Sequence, residues 1–176
     1  KALGSPWVQF NGHTLNLSHR QIEILCILAL HPYGIGLDEL HYALYGERNV
    51  SIKTLKAELS QLRSLLPHCI EARIYKVTCE VQCDFVRAEQ SLNANLIAST
   101  FSLYKGSFLS KSESPLLSTW RHCFDARLSQ LIYQIKDIDQ LLRIIGQTHD
   151  RIDAVQRLLE LLPQDSIHRN YFSNLI

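Results

Sequence analysis

Methionine is absent from all 176 residues, position 1 included, and the chain opens Lys1-Ala2-Leu3-Gly4-Ser5, so it reads as a module of a longer protein. An excess of one charge is also missing. Lys plus Arg number 18 against 17 Asp plus Glu, a net of +1, which excludes a polybasic binder of nucleic acid or membrane. The balance is even along the chain, with 9 cations against 8 anions over residues 1–88 and 9 against 9 over 89–176. Any contact with DNA must rest on local placement of charge. Long apolar runs are lacking too: the stretches at 22–30 and 131–145 are interrupted by His31-Pro32 or by Gln134, Lys136, Asp137 and Asp139. No spanning helix is expected, and no basic, apolar leader precedes the first strand signal. Cysteine is scarce and odd in number (Cys26, Cys69, Cys79, Cys83, Cys123), in a chain large enough to need no staples, which fits a reduced, cytoplasmic protein.

Catalytic and cofactor signatures are equally thin. No nucleophile elbow or P-loop occurs, and Gly34-x-Gly36 lacks the third glycine of a dinucleotide fingerprint. Cys79 and Cys83, with His68 and Cys69, do not have the spacing of a zinc knuckle. Neither an enzyme nor a cofactor or metal is expected.

What remains is ample material for a core. Apolar residues make up 46% and charged residues 20%, the mark of a globular chain of one large or two small domains. Residues 7–17 place two β-prone runs around Asn11-Gly12, a hairpin signal. Ser18 with Gln21 forms a capping box that opens a helix over 18–31, stopped by His31-Pro32. Gly34 and Gly36 make a turn, and a short helix through Leu40, Ala43 and Leu44 ends at Gly46, read as a left-handed cap. Ser51 starts the cleanest amphipathic segment, over 51–66 and ended by Pro67. Residues 73–79 alternate and are β-branched, predicting a strand or small hairpin that Glu80 to Cys83 extend.

Hairpin, three helices and hairpin within some 80 residues predict an α+β winged helix-turn-helix. The stretch 3–80 resembles the OmpR/PhoB-type DNA-binding domain, on Leu17-Ser18, His31-Pro32-Tyr33-Gly34, Leu40, Leu44-Tyr45-Gly46, Leu55, Leu59, Leu62-Arg63 and Ile74-Tyr75-Lys76-Val77. The second half, 84–176, is patterned as helices at about 84–92, 95–104, 114–133, 137–146, 151–162 and 165–175. Ser114-Pro115 is an N-cap with proline at the first helical position, and Asp150, after His149, and Asp165 are read as caps. Tyr104-Lys105-Gly106-Ser107-Phe108-Leu109, Ser112-Glu113-Ser114-Pro115, Trp120, and the ending Ala154-Val155, Leu162-Pro163-Gln164-Asp165, His168 resemble the all-α, tetratricopeptide-like bacterial transcriptional activator domain (BTAD). The two resemblances divide the chain at 3–83 and 84–176, an arrangement similar to Streptomyces antibiotic regulatory proteins and related one-component regulators.

On a helical wheel the third helix puts Ile52, Leu55, Leu59, Leu62 and Leu66 on its core stripe. Opposite lie Lys53, Ala57, Ser60 and Ser64, with Thr54 and Gln61 beside them and Lys56 and Arg63 on one shoulder. Small residues flanked by Lys, Thr and Gln suit a helix lying deep in a major groove, where Gln pairs with adenine and Lys reaches phosphate or guanine. The resemblance implies DNA-facing positions at Lys53, Thr54, Ala57, Glu58, Gln61 and Arg63, and wing contacts over Arg73, Ile74, Tyr75 and Lys76. Glu58 and Gln61 depart from the basic residues such domains often carry there. In the second half, Leu128, Leu131, Ile132 and Ile135, the group Leu141, Leu142, Ile144 and Ile145, and Trp120 are read as core.

The expectation is therefore the effector module of a bacterial transcriptional regulator. It would bind double-stranded DNA through 51–66 and 73–79, dimerise or contact RNA polymerase through the helical half, and follow an upstream sensor domain. The competing expectation, from the near-zero charge and Glu58, is an interaction or assembly module that binds no DNA.

Overall fold

The computed structural model describes residues 1–148, 150–164 and 166–174. Its described elements are strands β1 (Val8–Phe10) and β2 (His13–Leu15), then helices α1 (His19–Leu30), α2 (Leu37–Tyr45), α3 (Ile52–Leu65), α4 (Asp84–Asn93), α5 (Ile97–Leu103), α6 (Pro115–Gln134), α7 (Ile138–Gln147), α8 (Ile152–Leu161) and α9 (Ile167–Ser173). β1 and β2 pair antiparallel, Val8 with Leu15 and Phe10 with His13, around a turn in which Asn11 (φ 49°) and Gly12 (φ 81°) both take the positive φ that such a turn demands.

Local signals explain where the helices begin and end. Ser18 Oγ accepts the Gln21 N–H at 3.1 Å and Gln21 Oε1 accepts the Ser18 N–H at 3.0 Å, so two orphan donors of α1 are satisfied reciprocally. Glu39 Oε2 accepts the Gly36 N–H at 3.1 Å ahead of α2, and Gly46 closes α2 at φ 59° and ψ −131°, a positive φ but not the left-handed helical cap expected there. Ser114 Oγ accepts from the Leu117 N–H at 3.3 Å and donates to the Ala43 carbonyl at 2.7 Å, so the residue that caps α6 also ties it to α2.

α1 lies at the centre. Seven of its residues, Gln21 to Ile24 and Cys26 to Leu28, are buried, because it packs on α2, α3 and α6 at once. α6 also packs on α2, α4 and α8, and α8 bridges to α7 and α9. An aromatic cluster fills the joint: Phe108 and Trp120 stand 4.5 Å apart between centroids, Trp120 stacks on Phe124 at 4.8 Å, and Phe85 meets Phe108 at 4.9 Å.

Three charged side chains hold the irregular connections. Asp84 accepts the backbone N–H groups of Ala2 (2.7 Å), Leu3 (3.0 Å) and Phe85 (3.0 Å), pinning the first residues to the start of α4. Arg121 donates to the carbonyls of Phe108 (3.3 Å) and Leu109 (2.6 Å), which serves the backbone of the loop before α6. Arg151, buried among Asp125, Ser129 and Asp153, joins α6 to α8. Burial lowers its pKa, but the carboxylate of Asp153 outweighs that and holds it above its ordinary value.

The α+β winged helix is overturned. The chain is mostly helical, the one sheet among the described residues has two strands, and no winged-helix N-terminal domain is evident. Segment 73–79 forms no strand, because its hydrogen bonds alternate between two partners. Tyr75 exchanges both backbone bonds with Ile35 (3.0 and 2.9 Å), whereas Lys76 accepts from the Glu71 N–H at 3.1 Å and Cys69 from the Thr78 N–H at 2.9 Å. Single bridges, Ile35 with Tyr75 and Ile70 with Val77, result on either side, and no ladder grows.

Helices fall where the sequence pattern placed them, and the second half is compatible with an all-α domain. Asp150 does not cap α8. Arg151 occupies the N-cap without a side-chain bond, and Asp150 instead accepts from the Tyr104 hydroxyl at 2.9 Å. Burial, then the Asp150 charge, holds that hydroxyl well above its usual pKa. Leu142, expected in the core, is 39% exposed. His149 and the expected cap Asp165 lie outside the described residues, as does the side chain of His168. No helix among the described residues is long and apolar enough to cross a membrane.

Replacing Asp84 by Ala strands three backbone N–H groups, a change expected to cost about 2–4 kcal/mol in urea unfolding. The cysteines give a pH signature. Burial, reinforced by a hydrogen bond with Cys79, pushes the Cys69 thiol up to about 11 from 9.0. The folded chain keeps this proton where the unfolded chain releases it, so stability is highest below pH 9.0 and falls as pH rises from there to about 11. The urea midpoint should decline over that window, and more shallowly in Cys69→Ala.

Candidate nucleic-acid interface

Every third or fourth residue of α3 is claimed by the core, which decides what the remainder faces. Leu55, Leu59 and Leu62 are buried against α1 and α2, and Leu66 is buried just beyond the helix end. Lys53, Thr54, Lys56, Ala57, Ser60, Gln61, Arg63 and Ser64 are all exposed. The wheel's division of the helix therefore holds residue by residue, except that Ile52 is half-buried. Ser51 Oγ accepts the Lys53 N–H at 3.2 Å and starts the helix. The second half docks through α6 on α1 and α2, and this face of α3 stays open.

Among the described residues, Lys53, Lys56, Arg63 and Arg73 make no ion pair, so their charges are available to a polyanion. Lys76 is different. Its Nζ lies 3.0 Å from Glu71 Oε2, both exposed, a pair of the kind worth well under about 1 kcal/mol that a phosphate would readily replace. Gln61 is partly committed: its Oε1 accepts from Gln21 Nε2 at 3.3 Å, so the capping residue of α1 orients an amide on the exposed face of α3.

Glu58 is half-buried, and its Oε2 is enclosed without a hydrogen-bond partner among the described residues. The carboxylate contributes to Tyr45, whose hydroxyl is raised above its ordinary pKa by burial, with the Glu58 charge adding and Arg20 opposing. Arg20 lies over the Tyr45 ring at 4.6 Å. Glu58 is thus withdrawn toward α2, and the one anion of α3 is partly removed from its outer face.

The 70–77 turn begins just past α3, where the Cys69 N–H donates to Leu66 O at 3.2 Å. Tyr75 is half-buried and spends its backbone on Ile35, whereas Arg73 is exposed. Gly34 makes this seat possible. It sits at φ 97°, and a Cβ there would fall 2.2 Å from Ile74 Cγ2. Residues to which the sequence pattern gave no DNA-facing role include Gln21, which reads from sequence as a cap alone, and Tyr33, left 94% exposed beside Gly34. A tyrosine after proline carried no signal of its own.

No family model matches the chain. It is 29% identical over 153 residues to an uncharacterized 47.3 kDa protein in the thcA 5′ region of Rhodococcus erythropolis, a similarity covering 86% of this chain. The chain spans about a third of the length of that relative, since the match takes in 35% of it.

Replacing Glu58 by Gln removes an enclosed, unpaired anion and retains its shape. The variant is expected to gain about 0.5–1 kcal/mol in urea unfolding. In an ultraviolet titration Tyr45 should lose its proton earlier, since one cause of its raised pKa is gone, whereas Tyr104, which Glu58 does not perturb, should be unchanged.

Proposed function

We propose that the chain is the effector module of a bacterial transcriptional regulator, acting in the cytoplasm, that binds double-stranded DNA by laying the exposed face of α3 in the major groove. The observation that carries this reading is the open face itself: Lys53, Lys56 and Arg63, without ionic partners among the described residues, around the small residues Ala57, Ser60 and Ser64. Small side chains let the helix backbone approach the base edges, and the cations reach phosphates on either side. Thr54 and Gln61 supply hydrogen bonds to bases, with Gln61 oriented toward its role by Gln21. Arg73 and Lys76, on the 70–77 turn, add backbone contacts beyond the end of α3.

The reading extends to the whole chain. The helical half, 84–176, resembles the BTAD region and serves dimerisation or contacts with RNA polymerase, and a sensor domain lies upstream. Three or four phosphate contacts per copy give weak binding, so tight binding requires two copies on adjacent half-sites.

The test is DNA binding by selected sequences as a function of salt. Three cations released on one copy give a slope of about −2.7 in log K against log salt, and Lys53→Ala with Arg63→Ala should flatten it by about 1.8. An unchanged slope, or failure to select any sequence, overturns the proposal. That result would favour the interaction module, to which the near-neutral charge and Glu58 already lend weight.

A further inference from the structure

Four of the five cysteines, far apart in sequence, converge on one cavity. Cys26 of α1, Cys69 and Cys79 flanking the 70–77 turn, and Cys83 before α4 all line a space of about 470 Å³, together with Trp7 and Phe10 of the N-terminal hairpin region. Apolar side chains from α1, the end of α3 and α5 complete it. An apolar cavity of about 150 Å³ holds one benzene, so this one accommodates a molecule of two or three rings. It opens to solvent beside Trp7, 39% exposed, and Val81, 50% exposed, two apolar side chains that folding alone leaves uncovered at the mouth.

The lining has a definite chemistry. No group of three or more His, Cys, Asp or Glu among the described residues is placed to hold a metal ion, so the thiols do not form a cluster site. Burial raises the pKa of Cys26, Cys69 and Cys83, so these thiols stay protonated and neutral at physiological pH. Neutral, polarisable sulfur makes favourable contact with aromatic rings, about 0.3–1.5 kcal/mol each, and Trp7 and Phe10 add ring faces. Of the charged residues that line it, Lys1, Glu80 and Arg87 are exposed to solvent, and Asp84 has its oxygens engaged by the N–H groups of Ala2, Leu3 and Phe85 and offers little to a cationic ligand.

We propose that this cavity is a binding site for an uncharged aromatic small molecule of two or three rings, held by four converging thiols and the rings of Trp7 and Phe10. The site is distinct from the α3 face, and its occupancy is measured without DNA, so it stands or falls separately from the reading above. Its wall carries Cys69 and Cys79, which flank the turn that bears Arg73 and Lys76.

The test uses N-phenyl-1-naphthylamine, an uncharged probe that fluoresces in apolar surroundings. Saturable 1:1 binding is expected, displaced by naphthalene at least threefold more effectively than by decalin and not by 1-naphthalenesulfonate. Cys79→Trp, at a half-buried position on the wall, and Leu25→Trp, on α1, should each weaken binding at least tenfold, whereas Cys123→Trp on the exposed side of α6 should not. Thermal unfolding identifies any variant that fails to fold. As an independent readout, saturating probe should slow maleimide labelling of Cys79 at least fivefold and leave Cys123 unchanged. Absence of saturable binding, equal displacement by decalin, or undiminished affinity in both folded tryptophan variants overturns the proposal.

Discussion

α1 is buried on nearly every side, and a helix in that position must find a partner for each polar group it carries inward. Glu23, 1% exposed, imposes the strictest demand. An unpaired carboxylate at such a site costs several kcal/mol, so its neighbours are not optional. Arg20, one turn earlier, supplies a cation at 2.6 Å, and Ser112, in the loop before α6, donates its hydroxyl at 2.5 Å. That hydroxyl, the hydrogen-bond donor to Glu23, comes from the other half of the chain. The ordinary requirement that a buried charge be satisfied thus couples the position of the loop before α6 to α1.

Much else follows from that seat. With Ser112 at Glu23, Ser114 reaches the Ala43 carbonyl, and α6 starts where it must lie along α1 and α2. Arg48, beyond α2, closes the same seam by pairing with Glu113 at 2.9 Å. Because α6 approaches α1 and α2, α3 retains a solvent face along its length. The openness of that face is a consequence of where Glu23 found its partner, and it allows the cations of α3 to meet a ligand outside the protein.

The same economy governs the surface charge. Net charge near zero does not preclude a cationic face if its anions are turned elsewhere, and Glu58 is the one anion of α3 that the fold draws inward, toward Tyr45. On the proposed reading, such a face attracts polyanions weakly, through a few counterions, and depends on shape and hydrogen bonding for selectivity. Small side chains at Ala57, Ser60 and Ser64 supply the shape, and the orientation of Gln61 comes from Gln21 on another helix.

Much of the helical framework was legible because its determinants are local. Ser18 with Gln21, Ser51, Ser114-Pro115 and Gly46 mark ends through bonds made within a few residues, and the 3.6-residue period of Leu55, Leu59 and Leu62 identifies the buried stripe whatever packs on it. Which residues form the outer face of α3 follows from the same period, whereas its being left open does not. Segment 73–79 was misread because β-propensity reports a side chain that suits a half-buried pleat, whereas a strand needs a continuous backbone partner, and Tyr75 shares its bonds with Ile35, forty residues earlier. Asp150 was misread as a cap because its partner, Tyr104, is remote in sequence. Local periodicity and capping thus lay within reach of the sequence by itself. The pairing of Glu23 with Ser112, the inward turn of Glu58 and the meeting of four cysteines around one cavity were decided only by tertiary structure, because each brings together groups whose separation along the chain leaves no periodic trace.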